Sequence, residues 1–210
     1  MGLAVSRWQA QFATRVVFDG SIFLWCMIDT VNHMQRPNHH VWINTQLRVD
    51  LEWWTEFLGV FNGKTFIVDS ELVPTEGLST DACPIGGGAF FQGDWFYVNW
   101  ATNYRSLANV QVNLQEMFTV LMALERWKDQ LRDKWIILRT DNTTTLSVIN
   151  KGTFSNQLAM QWLRKLFWLS ATYNFRVTSQ YIPRAANTLT DAISRIHDPA
   201  HCELLLVSPD

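Results

Sequence analysis

The chain has 210 residues, 48% of them apolar and 17% charged, with a formal net charge of −2. That suits an ordered globular protein of one or two domains, and eleven tryptophans supply much potential core area. The charge balance excludes nucleic-acid binding by overall charge, and no run of about 18 uninterrupted apolar residues marks a membrane span.

Cysteines 26, 83 and 202 are odd in number and scattered, which argues against a disulfide framework and for a reducing, intracellular setting, cytoplasmic or nuclear. The N-terminus has no signal-peptide core. Gly2 with Ser6 meets the loose myristoylation pattern, a short match expected to be unused. His39-His40 lack partners at metal-ligand spacing and read as an exposed loop pair.

Residues 1 to about 70 read as helical. Trp8, Phe12 and Val16 recur at i, i+4, i+8, and Ser21 is a plausible cap for the apolar segment that follows it. A break falls around Pro37. Leu47, Leu51, Trp54 and Leu58 form one apolar stripe, which predicts a helix over 45–58. Asp50, Glu52 and Glu56 read as its solvated face. Asn62-Gly63 marks a turn, and residues 64–68 read as a short strand. The segment 70–77, with Pro74 and Gly77, reads as a linker.

From Leu78 the texture changes. Residues 78–83 read as a strand, 84–88 as a turn or bulge, and 88–92 as a second strand. Gly93-Asp94 reads as a hairpin turn and 95–100 as a third strand, completing a meander. A long helix is predicted over 113–131. The continuous apolar run in 134–139 predicts a strand covered on both faces. A short helix over 143–150 ends at Gly152. Ser155 is the expected cap of a long helix through Tyr173. Residues 176–182 read as a fifth strand, and Asn187 as the cap of a last helix through Arg195. The fold class is therefore α/β, in the order βββ-α-β-α-α-β-α. Its second part, from Thr75 on, carries 12 basic and 12 acidic residues, so any nucleic-acid contact needs a local patch or bound metal.

Four acids stand on four different elements. Asp81 is in the first strand, Glu116 on the first turn of the long helix, Asp141 at the end of the fourth strand and Asp191 one turn inside the last helix. Each has a local explanation. Asp141 suits a helix cap, Asp81 a turn at Pro84, and Glu116 and Asp191 the positive end of a helix dipole. Together they suggest more. If strands one and four are neighbours, the carboxylates converge, repel one another and need a cation. Oxygen donors suit Mg²⁺, with Mn²⁺ as the alternative. Two such ions about 4 Å apart serve in-line phosphoryl displacement, so convergence would imply a metal-dependent nuclease.

The order Asp…Glu…Asp…Asp on these elements resembles ribonuclease H. The segments STDACPIGGGAFF (79–91), VNLQEMFTVLMALERW (112–127), TDNTTTLSVINKG (140–152) and YIPRAANTLTDAISR (181–195) are most similar to the RNase H domain of retrotransposon reverse transcriptases, of DIRS type. The likeness covers about 120 residues, Leu78 to Arg195. DLEWWTEFLGVFNGKTF (50–66) also resembles the region that joins polymerase to RNase H in such proteins.

The resemblance implies an RNase H-like fold with a five-stranded mixed sheet. It implies a connection or thumb-like segment over 1–74, an RNase H domain over 75–198 and a tail over 199–210. It assigns Asp81, Glu116, Asp141 and Asp191 as catalytic metal ligands for two Mg²⁺ ions, and puts Asn113 and Thr143 near the minor groove of an RNA–DNA hybrid. Asn113 reads equally well as a helix cap. The implied partners are the hybrid and the polymerase portion of a longer polyprotein. No membrane is implied, and no oligomeric state.

There are departures. Cys83 stands where the family usually has Ser, Arg184 where it has Gly, and Thr190 where it has Ala. No His lies between Tyr181 and Asp191, where cellular ribonucleases H often carry one. A basic helix-loop is not evident, since Arg164 and Lys165 read as the wet face of a helix. No Tyr-x-Asp-Asp motif occurs, so the chain resembles the C-terminal part of a reverse transcriptase, or a degraded copy. The rivals are a catalytically inert RNase H-like module, an integrase or resolvase, and an inactive α/β domain. The acid order here, with Glu second, disfavours an integrase.

Overall fold

The computed structural model describes Thr30 and residues 42–60, 74–154 and 156–199. The chain divides into two compact units, Met1–Asp69 and Ser70–Asp210.

In the first unit, α1 spans Thr45–Val60. Asn44 caps it, its Oδ1 accepting from the Leu47 N–H at 2.8 Å. Leu47 and Trp54 are buried and Leu51 is half-buried, as the stripe predicts. Glu52 and Glu56 are exposed, but Asp50 is fully buried. Its place on the apolar face follows from helix geometry, three residues after Leu47 and four before Trp54. The predicted elements around Trp8, Ser21, Pro37, His39-His40 and Asn62 to Val68 lie outside the described residues, as do Gly2, Cys26 and Cys202.

The second unit is built on a five-stranded sheet in the order β3-β2-β1-β4-β5. Its strands are β1 Thr75–Ala82, β2 Gly86–Phe91, β3 Asp94–Asn99, β4 Trp135–Thr140 and β5 Arg176–Tyr181. The first three form an antiparallel meander, while β4 runs parallel to both β1 and β5. The helices are α2 Trp100–Asn103, α3 Val112–Leu131, α4 Thr143–Lys151, α5 Gln157–Tyr173 and α6 Thr188–Ser194. The sheet is therefore mixed and flanked by helices, the expected α/β architecture and order. The sequence reading lacks α2 and the 3₁₀ turns Arg105–Leu107 and Arg184–Ala186.

Several local readings are corrected. Thr75–Gly77 belong to β1, not to a linker. Gly86 and Gly87 lie in β2, not in a turn, and Gly88 lies inside the strand rather than at its start. Their lack of side chains reflects close packing from elsewhere in the fold. A Cβ on Gly87 would fall 2.5 Å from Thr119 and 2.6 Å from Trp100, and one on Gly88 2.4 Å from Ile193. Neighbouring strand residues point to opposite faces, so α3 covers one face of β2 and α6 the other. The hairpin turn is Gln92-Gly93, both at positive φ, as a tight two-residue hairpin requires. β4 lies inside the sheet, but its burial alternates, fully buried on one face and half-buried on the other.

The cap of α5 is Asn156, whose side chain accepts from the Leu158 and Ala159 N–H groups. Arg164 is buried, because the buried face of α5 runs through Ala159, Leu163, Leu166, Phe167 and Ser170 and wraps most of the helix. Lys165 is exposed and pairs with Glu125. Among the described residues, no helix is long and apolar enough to cross a membrane.

Candidate functional site

The pairing of β1 with β4 decides where the acids go. Ser79 is in register with Arg139, so Asp81 and Asp141, each two residues further on, emerge together at the ends of parallel strands. Asp141 is freed from capping because Asn142 does that work. The Asn142 side chain accepts from the Thr144 and Thr145 N–H groups at 2.9 and 3.0 Å. Gly152, at φ 66°, ends α4 as predicted. Asn150 of the same helix exchanges two 2.8 Å hydrogen bonds with the Ser179 backbone, which fastens α4 against β5.

Glu116 lies in the second turn of α3, not the first, so the helix dipole is a weak account of it. Oxygens of Asp81, Glu116 and Asp141 all lie within 4.8 Å of one another. Asp81 and Glu116 are buried and Asp141 is half-buried. Burial is the main cause that raises the Asp81 carboxyl to about 6. A hydrogen bond from Ser194 opposes the rise, and the charges of Asp141 and Asp191 add to it. Burial also drives the Glu116 carboxyl well above its usual range, and the Asp81 charge contributes. Glu116 Oε2 is buried without a hydrogen-bond partner among the described residues.

Among the described residues, the hydrogen bond of the Asp81 side chain is not a turn bond at Pro84. Asp81 Oδ2 accepts from the Ser194 hydroxyl, which joins α6 to β1. Asp191, three residues before Ser194, lies outside the group of three. Its Oδ1 accepts from Arg195 Nε at 3.1 Å and from the Arg184 guanidinium at 3.3 Å.

Asn113 is not a cap. It lies inside α3, and its Oδ1 accepts from Asn142 Nδ2 at 3.0 Å. That bond brings Asn113 beside the start of α4, where Thr143 is exposed. Cys83, also buried, accepts from the Gly86 N–H through its sulfur and donates to the Ser194 carbonyl, so a small side chain suffices there.

These donors suit a hard divalent ion. All are carboxylate oxygens, they converge, and a buried oxygen of Glu116 lacks a partner among the described residues. Ser194, Arg195, Asn142 and Asn150 were not singled out in the sequence. All four fall inside the segments 140–152 and 181–195; Asn142 adjoins Asp141 and Ser194 and Arg195 follow Asp191 at i+3 and i+4, whereas Asn150, nine residues after Asp141, carries no such spacing signal.

No protein-family profile matches the chain, and no curated protein sequence matches it. Among solved structures it is similar to RNase H1 from the halophilic archaeon Halobacterium salinarum NRC-1. The identity is 15% and the TM-score 0.44, over 59% of this chain and 100% of that one. It is also similar to the foamy viral protease-reverse transcriptase dRH in complex with double-stranded DNA, at 14% identity and TM-score 0.38, over 82% of this chain. A second foamy viral protease-reverse transcriptase in complex with double-stranded DNA aligns at 15% identity and TM-score 0.31, over 86% of this chain. The chain spans 32% and 38% of the length of those two viral chains.

Proposed function

We propose that residues 75–198 are a ribonuclease H domain that hydrolyses the RNA strand of an RNA–DNA hybrid. The setting is reverse transcription of a retroelement of DIRS type inside the cell. Residues 1–74 are the connection to a polymerase portion, and 199–210 are a tail. The observation that carries this reading is the meeting of Asp81, Glu116 and Asp141 within 4.8 Å, from three separate elements and largely out of water. Uncompensated, such a group is unfavourable, and a structural role offers no reason to assemble it.

Asp81, Glu116, Asp141 and Asp191 are the residues that would hold Mg²⁺ or Mn²⁺. Two such ions, when bound, supply activation of water and stabilisation of the leaving 3′ oxygen. The protein's own groups prepare the site. Ser194 fixes one oxygen of Asp81 and leaves the other as a ligand. Arg195, bonded to Asp191, limits the repulsion among the acids. Asn113 and Thr143, linked through Asn142, form the edge that contacts the hybrid's minor groove. Choice of RNA over DNA rests on 2′-hydroxyl contacts there.

One observation favours an inert module instead. Asp191 lies outside the carboxylate group and is held by two arginines. A substrate panel separates the two readings. Labelled hybrid, duplex RNA and duplex DNA are incubated with the full chain in Mg²⁺ and in EDTA. Cutting of the hybrid's RNA strand alone, abolished by EDTA, is the expected result. Binding of the hybrid by folded protein without cutting would make the module reading correct.

A further inference from the structure

Asp191 Oδ1 is shared by two guanidiniums that are held very differently. Arg195 sits one turn along the same helix, with its side chain 29% exposed, and also lies near Asp81. Arg184 is on the 3₁₀ turn Arg184–Ala186 ahead of α6, with its side chain 69% exposed, and Asp191 is its only ion-pair partner among the described residues. An exposed pair of this kind is weak and easily broken. Its partner, 21% exposed, stands beside the carboxylate group.

We infer that Arg184 is an exchanging counter-ion that holds Asp191 while the carboxylates are metal-free and moves to a phosphate of the hybrid once divalent ions are bound. The inference rests on the ribonuclease H reading. Four carboxylates and two guanidiniums leave the site negative. Two divalent ions make it positive, so the weakly held guanidinium is repelled at the moment when a phosphodiester becomes attractive. Arg cannot escape by losing its proton, so the exchange is a displacement. Its planar fork suits phosphate oxygens, and the exposed turn leaves room for a nucleic-acid strand.

The test uses the full chain and Arg184→Ala, an exposed change that should not impair folding. Mn²⁺ alone is titrated into each protein without nucleic acid and followed by electron paramagnetic resonance of the free ion. Arg184→Ala should bind Mn²⁺ about two- to five-fold more tightly, because a weak competing cation is gone. In steady-state hybrid cleavage its KM should rise roughly tenfold, the scale of one charge-assisted hydrogen bond, with kcat nearly unchanged. The salt dependence of kcat/KM should become shallower by about 0.9 in slope, one phosphate contact. Arg184→Lys should recover part of KM, keeping the charge without the fork. If wild type binds Mn²⁺ and cuts hybrid, unchanged Mn²⁺ affinity in Arg184→Ala overturns the exchange. Unchanged KM and salt slope also overturn it. If wild type neither binds Mn²⁺ nor cuts, the ribonuclease reading itself has failed and the exchange falls with it.

Discussion

The Ser194 hydroxyl donates to Asp81 Oδ2 and so ties α6 to β1, 113 residues apart in sequence. It also lies 3.0 Å from the Asp191 carbonyl of its own helix. One hydroxyl thus sets the position of one acid and helps place the element that carries another. Ser194→Ala should weaken Mn²⁺ binding by about tenfold or more, as loss of a group that orients a metal ligand does. Calorimetric titration of the metal would check this. Equal affinity in the variant would show that the bond orients nothing that matters.

The raised carboxyls give the metal-free protein a definite pH dependence. Asp81 is near 3.8 when unfolded and about 6 when folded, and Glu116 is shifted in the same direction. Between those values the folded state holds more protons than the unfolded state. The associated stability is fully present below about pH 4 and is lost as pH rises through about 6. In EDTA, Tm should therefore fall from pH 4.5 to 7 as far as these groups control it. Glu116→Gln should raise Tm at pH 7.5, and Mg²⁺ should raise that of wild type. A Glu116→Gln protein less stable than wild type in EDTA at pH 7.5 would contradict the account.

Asn142 both caps α4 and reaches Asn113. Asn142→Ala should cost about 1 kcal/mol through the lost cap and also raise KM for hybrid. Asn142→Ser should restore most of the stability, since serine caps well, but not the KM, since serine is too short to reach Asn113. Thermal melts and initial rates on the same preparations separate the two effects.

Gly88 is a packing requirement. A methyl there would meet Ile193 Cγ2 at 2.4 Å and the Ser194 backbone nitrogen at 3.0 Å. Gly88→Ala should destabilise by about 1–3 kcal/mol by forcing α6 away from β2. Denaturant melts measure this, and a change below about 0.5 kcal/mol would mean that α6 moves freely.

The parts of the fold legible in the sequence are those set by local pattern. The run ending at Asp141, the stripe in α1 and the Gly152 stop each follow from a few neighbouring residues. The misreadings share a different cause, which is packing from distant elements. Gly86 and Gly87 look like a turn, and Gly88 like the edge of one, until α3 and α6 are brought against them. Asp50 and Arg164 look solvated because charge was weighed above position on a helix face. At the candidate site the four acids stood out by type. The supporting bonds from Ser194, Asn142 and Arg184 depend on side chains meeting across the fold, which spacing along the chain does not show.

The most direct test of the central claim is single-turnover cleavage of a labelled RNA–DNA hybrid in Mg²⁺ by wild type, Asp141→Asn and Glu116→Gln, with folding of each verified by circular dichroism. The account predicts cutting of the RNA strand by wild type and a loss of about a hundred-fold or more in each variant, the scale of removing a group that stabilises charge in the transition state. Folded variants that cut at the wild-type rate would contradict it, because the converging carboxylates would then not be the site.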